Sequence, residues 1–113
     1  MIKEDWKRVL KKWGEELWLV NNDKYCGKLL MLKKGAESSY HCHKIKQETF
    51  YCLEGAAKLK VEGEDYDLVS SARPKTILPG EFHSFKGYAP TVILEISTHH
   101  DDSDVERQTE STA

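Results

Sequence analysis

Between Gly35 and Gly55 the chain reads GAESSYHCHKIKQETFYCLEG, and no other stretch so restricts how it can fold. One residue separates His41 from His43, so in an extended strand both imidazoles share a face while Cys42 points away. The short connection at 44–47 then turns the chain so that Glu48 approaches the same point from the next strand. Later, ILPGEFH brings His83 back behind the Pro79-Gly80 turn. Three imidazoles and a carboxylate suit one borderline divalent ion: Mn, Fe, Zn, Ni or Co. Four protein ligands leave one or two positions open on a five- or six-coordinate ion, as Lewis-acid catalysis requires. An inward-facing Glu48 without such a cation would cost several kcal/mol. The expected metal ligands are His41, His43, Glu48 and His83.

The rest of the chain is punctuated in the manner of a β protein. Short apolar runs such as ELWLVN, KLLMLKK, TFYCLEG, AKLKVEG and TVILEIS are separated by Asn21-Asn22-Asp23, Lys34-Gly35, Glu54-Gly55 and Pro79-Gly80. In AAKLKVEG, Leu59 and Val61 alternate with Lys58 and Lys60, which predicts one wet and one buried face. Many short strands at near-regular spacing predict an antiparallel sandwich or barrel. Trp6, Val9, Leu10 and Trp13 fall at helical spacing before Gly14, so a short helical or irregular lead is expected there. From His99 onward the sequence HHDDSDVERQTESTA keeps only Val105 and Ala113 as apolar residues; alone, it reads as a disordered acidic end.

Length and charge exclude several classes. A chain of 113 residues has room for one core. Its net charge of -2, with lysines spread along the chain, gives no reason to expect nucleic acid. No run approaches the ~20 apolar residues of a membrane helix. The three cysteines, Cys26, Cys42 and Cys52, form no disulfide framework. With no export signal at the N-terminus, they point to a reducing cytoplasm.

The Gly35–Gly55 run resembles cupin motif 1, with its glycine, two histidines, glutamate and closing glycine. ILPGEFH is similar to cupin motif 2, although Leu78 stands at the usual first proline and Gly87 where an asparagine often closes the motif. This resemblance implies a double-stranded β-helix, or jelly-roll barrel, spanning about residues 14–98, followed by a polar tail at 99–113. KKWGEELWLVNNDKYCGKLLMLKKG is further similar to the opening of the cupin domain in type II phosphomannose isomerases, with Lys12 in place of a proline and Trp13 and Gly14 kept. ILEISTHHDDSDVER resembles the ending of that domain, offering Glu95, an acidic stretch and Arg107. Cupins commonly dimerise, so a homodimer is expected.

The resemblance implies an aldose–ketose isomerase for a sugar or sugar phosphate, acting through a metal-stabilised enediolate. The proton shuttle such a reaction needs is assigned to Glu95, a carboxylate among apolar strand neighbours. Tyr40, Tyr51, Lys28 and Arg107 are candidates for contacts to substrate hydroxyls or phosphate. His99 and His100 are further candidate ligands, and Trp13 and Trp18 are core or interface anchors or a sugar-stacking platform. Two other readings compete: an Fe(II) cupin dioxygenase that consumes oxygen, and a non-catalytic metal- or sugar-binding module.

Overall fold

The computed structural model describes residues 1–112 as eleven strands, and no helix forms among them. They are β1 (Lys7–Lys11), β2 (Gly14–Asn21), β3 (Cys26–Leu32), β4 (His41–Cys42), β5 (Glu48–Glu54), β6 (Ala56–Val61), β7 (Glu64–Val69), β8 (Lys75–Ile77), β9 (His83–Gly87), β10 (Thr91–Ser97) and β11 (Glu106–Arg107). Six make a sheet in the order β1-β2-β3-β10-β5-β8, and five make a second in the order β11-β4-β9-β6-β7; every pairing is antiparallel. Leu30, Phe50 and Ile93 of the first sheet pack in one core with Leu59, Leu68 and Phe85 of the second. The jelly-roll barrel expected from the sequence is the fold found.

Strand alternation positions the site along the barrel interior. In β3, Cys26, Lys28, Leu30 and Leu32 are buried while the residues between them are half-exposed. Across the sheet these residues meet inward-facing partners in register. Leu30 lies opposite Ile93, Lys28 opposite Glu95, and Cys26 opposite Ser97; β5 adds Cys52, Phe50 and Glu48 beside the same three β10 residues. The interior is therefore apolar at the Leu30–Ile93–Cys52 level and ionic toward Lys28, Glu95 and Glu48. Phe50 and Phe85 meet edge to face at 4.7 Å, and Phe50 also approaches the His83 ring, so the aromatic pair joins core to site.

Two expectations are corrected. The lead before Gly14 is a strand: β1 pairs with β2 from Lys7↔Trp18 to Lys11↔Gly14. Trp6 and Leu10 are exposed, so their helical spacing does not mark a buried face. Gly14 begins β2 at φ 152°, where a Cβ would sit 1.8 Å from the Met31 carbonyl oxygen; only glycine lets β2 approach β3 this closely. The polar tail is also ordered into the fold. β11 pairs with β4, Thr112 exchanges backbone hydrogen bonds with Glu37, and the Ser111 and Thr109 hydroxyls accept from the Ser39 and Tyr40 N–H groups. Hydrogen bonds rather than apolar burial hold this segment, and apolar content does not register them. Ala113, the last residue of the predicted tail, lies outside the described residues.

Candidate metal centre

His41 is the first residue of β4 and pairs in register with His83 at the start of β9; His43 lies just past the end of β4. The ring nitrogens of the three converge within 4.8 Å of one another, close enough to hold a single metal ion. Each ring is oriented by a backbone carbonyl that accepts from Nδ1–H: Ser39 O for His41 at 2.8 Å, Glu81 O for His83 at 3.0 Å, and Asp104 O for His43. That tautomer leaves an Nε2 lone pair on each ring, the arrangement that metal-ligating histidines need. Burial, helped by the neighbouring His83 ring, pushes His41 down to about 3; burial also lowers His43 against the pull of Glu48. Both rings are thus ready to ligate in neutral form.

Glu48, the first residue of β5, stands against this cluster. Its Oε1 lies 3.4 Å from His43 Nε2 and 3.0 Å from His83 Nε2. The shorter approach is not a hydrogen bond: Glu48 Oε1 and His83 Nε2 are both buried without a hydrogen-bond partner. A buried carboxylate oxygen left without a donor beside imidazole nitrogens is unfavourable unless a cation is held by them, so the donor set fits a divalent ion.

Beyond Glu48 the cavity holds a chain of buried charge. Lys46 is 3% exposed; its ammonium lies 3.4 Å from Glu48 Oε2, donates to Glu95 at 3.3 Å and donates to His100 Nδ1 at 2.9 Å. Burial works against its charge, but Glu95 and Glu48 outweigh it and raise Lys46 above its ordinary value. Glu95 is raised by burial and then by the negative charge of Glu48, while Lys46 and Lys28 pull it down. Lys28 Nζ sits 3.6 Å from Glu16 Oε1 and 4.0 Å from the centre of the Trp18 ring.

The cavity measures about 320 Å³, and Lys28, Glu95 and Arg107 line it together with the histidine cluster. Tyr40 and Tyr51 do not. Tyr51 points outward between inward-facing Phe50 and Cys52, and the Tyr40 hydroxyl accepts the Gly63 N–H while its ring lies on Phe82. Trp18 is engaged by Lys7, Lys28 and His100, which leaves it poorly suited as a stacking platform. His100 is tied to Lys46 and donates from Nε2–H to Asp102; His99 is exposed and bonds the Asn22 carbonyl. Lys46 is the site residue that sequence reasoning missed. Its signal was spacing: in extended chain it shares a face with Glu48 and Phe50, and all three are buried.

The barrel has the cupin fold and carries three histidines in its interior, although no family model matches the sequence. Its sequence is similar to that of a D-lyxose/D-mannose isomerase from Thermosediminibacter oceani, 33% identical over 74% of this chain; the chain spans 61% of that relative's length. Many solved structures share the fold. The capsular polysaccharide assembling protein CapF of Staphylococcus aureus has a TM-score of 0.81 at 16% identity, covering 96% of this chain and 35% of CapF. Streptomyces PAC13 with uridine has a TM-score of 0.80 at 14% identity, covering 97% of this chain and 93% of that one.

Proposed function

We propose that this cupin is a metal-dependent aldose–ketose isomerase for an unphosphorylated sugar. The observation that carries the reading is Glu95, a buried carboxylate of raised pKa lining the same cavity as the histidine cluster. His41, His43, His83 and Glu48 are the residues to hold the ion. A divalent ion bound there would stabilise negative charge developing on the substrate's carbonyl and adjacent hydroxyl oxygens.

Glu95 is the base that takes a proton from the carbon next to the carbonyl and returns it to the neighbouring carbon. Its raised pKa brings it closer to the working pH, where a base combines the ionised form with useful proton affinity. The Lys46 ammonium fixes the orientation of the Glu95 carboxylate through the contact at 3.3 Å. Neither buried ammonium is free for a phosphate, since Lys46 is paired with Glu48 and Glu95 and Lys28 with Glu16. Arg107, Lys11 and Lys12 also line the cavity, so charge alone admits a sugar hydroxyl or a phosphate there. Similarity to a relative named D-lyxose/D-mannose isomerase favours the free sugar.

The test is a panel of aldoses and aldose phosphates incubated with metal-loaded protein in deuterated water and followed by NMR. Ketose formation from a free aldose, with deuterium at C1 of the ketose or C2 of the recovered aldose, is the expected result. Turnover of phosphates alone would overturn the substrate class. Oxygen consumption without ketose would replace the reading by a dioxygenase, and binding without turnover by a non-catalytic module.

The reading includes a cytoplasmic location and a homodimer; pairing of two copies is supported by edge strand β1, with Leu10 exposed on it and Trp6 exposed just before it. Light scattering at twice the monomer mass is expected; a monomer at high concentration would remove this part alone.

A further inference from the structure

The centre leans on a residue outside its donor set. Asp104 belongs to the tail, yet it makes two kinds of contact with the segment that carries His43 and Glu48. Its backbone carbonyl accepts the His43 Nδ1–H. Its carboxylate accepts three successive backbone N–H groups, from Lys44 at 2.8 Å, Ile45 at 3.2 Å and Lys46 at 3.0 Å. Partial burial would raise the Asp104 carboxyl, but these three donors outweigh it and hold the group ionised below its ordinary value.

We propose that Asp104 is a positioning residue for the metal centre, aiming the His43 ring with its carbonyl and setting the 44–46 turn with its carboxylate. The proposal rests on the reading of the histidine cluster as a metal site. Its reasoning is geometric. His43 lies just beyond β4, and residues 44–47 belong to no strand, so no sheet ladder determines where His43 and Lys46 point relative to Glu48, which begins β5. A turn with three N–H groups converging on one carboxylate has that direction set by the anion. The same contacts bring the buried Lys46 ammonium to Glu48 and Glu95. β11, two residues further on, pairs Arg107 with His41, so Asp104 is anchored to the ligand strand it serves. Partners that orient metal-ligating histidines typically alter metal affinity about 10–100-fold when removed.

The experiment titrates the metal-stripped full chain with Mn(II), following free ion by electron paramagnetic resonance, for the parent, Asp104→Ala, Asp104→Asn and Asp101→Ala. Asp101 is the control, because its carboxylate caps only Ser103 within the tail. Asp104→Ala is expected to weaken Mn(II) binding about 10–100-fold. Asp104→Asn keeps one acceptor oxygen for the turn and should fall between Ala and the parent, while Asp101→Ala should stay within about twofold of the parent. Asp104→Ala keeps the backbone carbonyl but frees the tail from the 44–46 turn, so the carbonyl should shift from the His43 ring and the imidazole ¹⁵N signals should show a weakened preference for the Nδ1–H tautomer, a change that general loss of stability would not produce in folded protein. A folded Asp104→Ala that binds Mn(II) within about twofold of the parent would overturn the proposal; if that variant does not fold, Asp104→Asn decides on the same criterion. No Mn(II), Fe(II) or Zn(II) binding by the parent would remove the metal reading itself, which is a different failure.

Discussion

Glu48 Oε1 lies 3.0 Å from His83 Nε2, and both atoms are buried without a hydrogen-bond partner. With the His83 Nδ1–H committed to the Glu81 carbonyl, a carboxylate oxygen and an imidazole nitrogen stand side by side in the barrel interior with no proton shared between them. A bound ion removes that conflict. Purified protein is therefore expected to carry close to one divalent metal per chain by elemental analysis. His83→Ala and Glu48→Gln should each lower occupancy well below half, and stripping the metal should reduce thermal stability because the ion binds only the folded form. Metal-free protein whose melting temperature does not move on adding Mn, Fe, Zn or Ni would sink the site.

Glu95 should trade stability for activity. Its pKa is raised in the fold, by burial first and Glu48 second, so the folded protein holds its proton more tightly than the unfolded chain does. Stability from this group is then full below the unfolded carboxyl value and is lost as pH rises through the folded one. Glu95→Gln removes that loss. The variant should be as stable as the parent or more so at pH 7, and the gain should vanish near pH 4, as read from urea midpoints across that range. Isomerase activity should fall about 10²–10⁴-fold. A variant that is strongly destabilised at pH 7 yet still active would show that Glu95 is only an anchor for Lys46.

The barrel and the cluster were legible in the sequence because both obey strand geometry. An HxH pair, a glutamate on the next strand and a histidine behind a Pro-Gly turn constrain each other through alternation, and His41↔His83 pairing is the outcome. Lys46 escaped because an isolated lysine ordinarily reads as solvated; it is buried here only because Glu95, remote in sequence, joins Glu48 beside it. β1 was misread since Trp6, Val9, Leu10 and Trp13 happen to match helical spacing, whereas its half-buried positions, Val9 and Lys11, alternate with exposed Arg8 and Leu10 in a way that does not separate apolar from polar residues. The tail was misread for a related reason: Asp104, Thr109, Ser111 and Thr112 act through hydrogen bonds whose partners only the fold identifies.

Gly55, the closing glycine of the 35–55 run, tests how tightly the β5–β6 corner is built. Its φ is 95°, and an added Cβ would lie 2.3 Å from the Pro90 carbonyl oxygen and 2.7 Å from Thr91 Cα. Both contacts are backbone, so no side-chain rotation relieves them. Gly55→Ala is expected to destabilise by about 2–4 kcal/mol, combining left-handed strain with backbone overlap. Gly63→Ala, at φ 82° with nothing within 4 Å, should show the smaller cost of strain alone. Equal chemical-denaturation midpoints for the two variants would contradict the close approach of Gly55 to the β10 entry.

The charges around Glu95 make a paired prediction for the pH dependence of the reaction. Lys28 lies in register with Glu95 across β3 and β10 and lowers its pKa; Glu16 raises it from the far side of Lys28. Removing a positive neighbour destabilises the carboxylate, so Lys28→Met should move the acidic limb of the pH–rate profile to higher pH. Removing a negative neighbour does the reverse, and Glu16→Gln should move that limb to lower pH. The two shifts must have opposite signs if Glu95 is the base, whatever each variant does to the maximum rate. Loss of Lys28 also strips an ammonium from the Trp18 ring, so Lys28→Met should lower thermal stability as well. Limbs that move together, or not at all while rates stay measurable, would assign the titrating base to another residue.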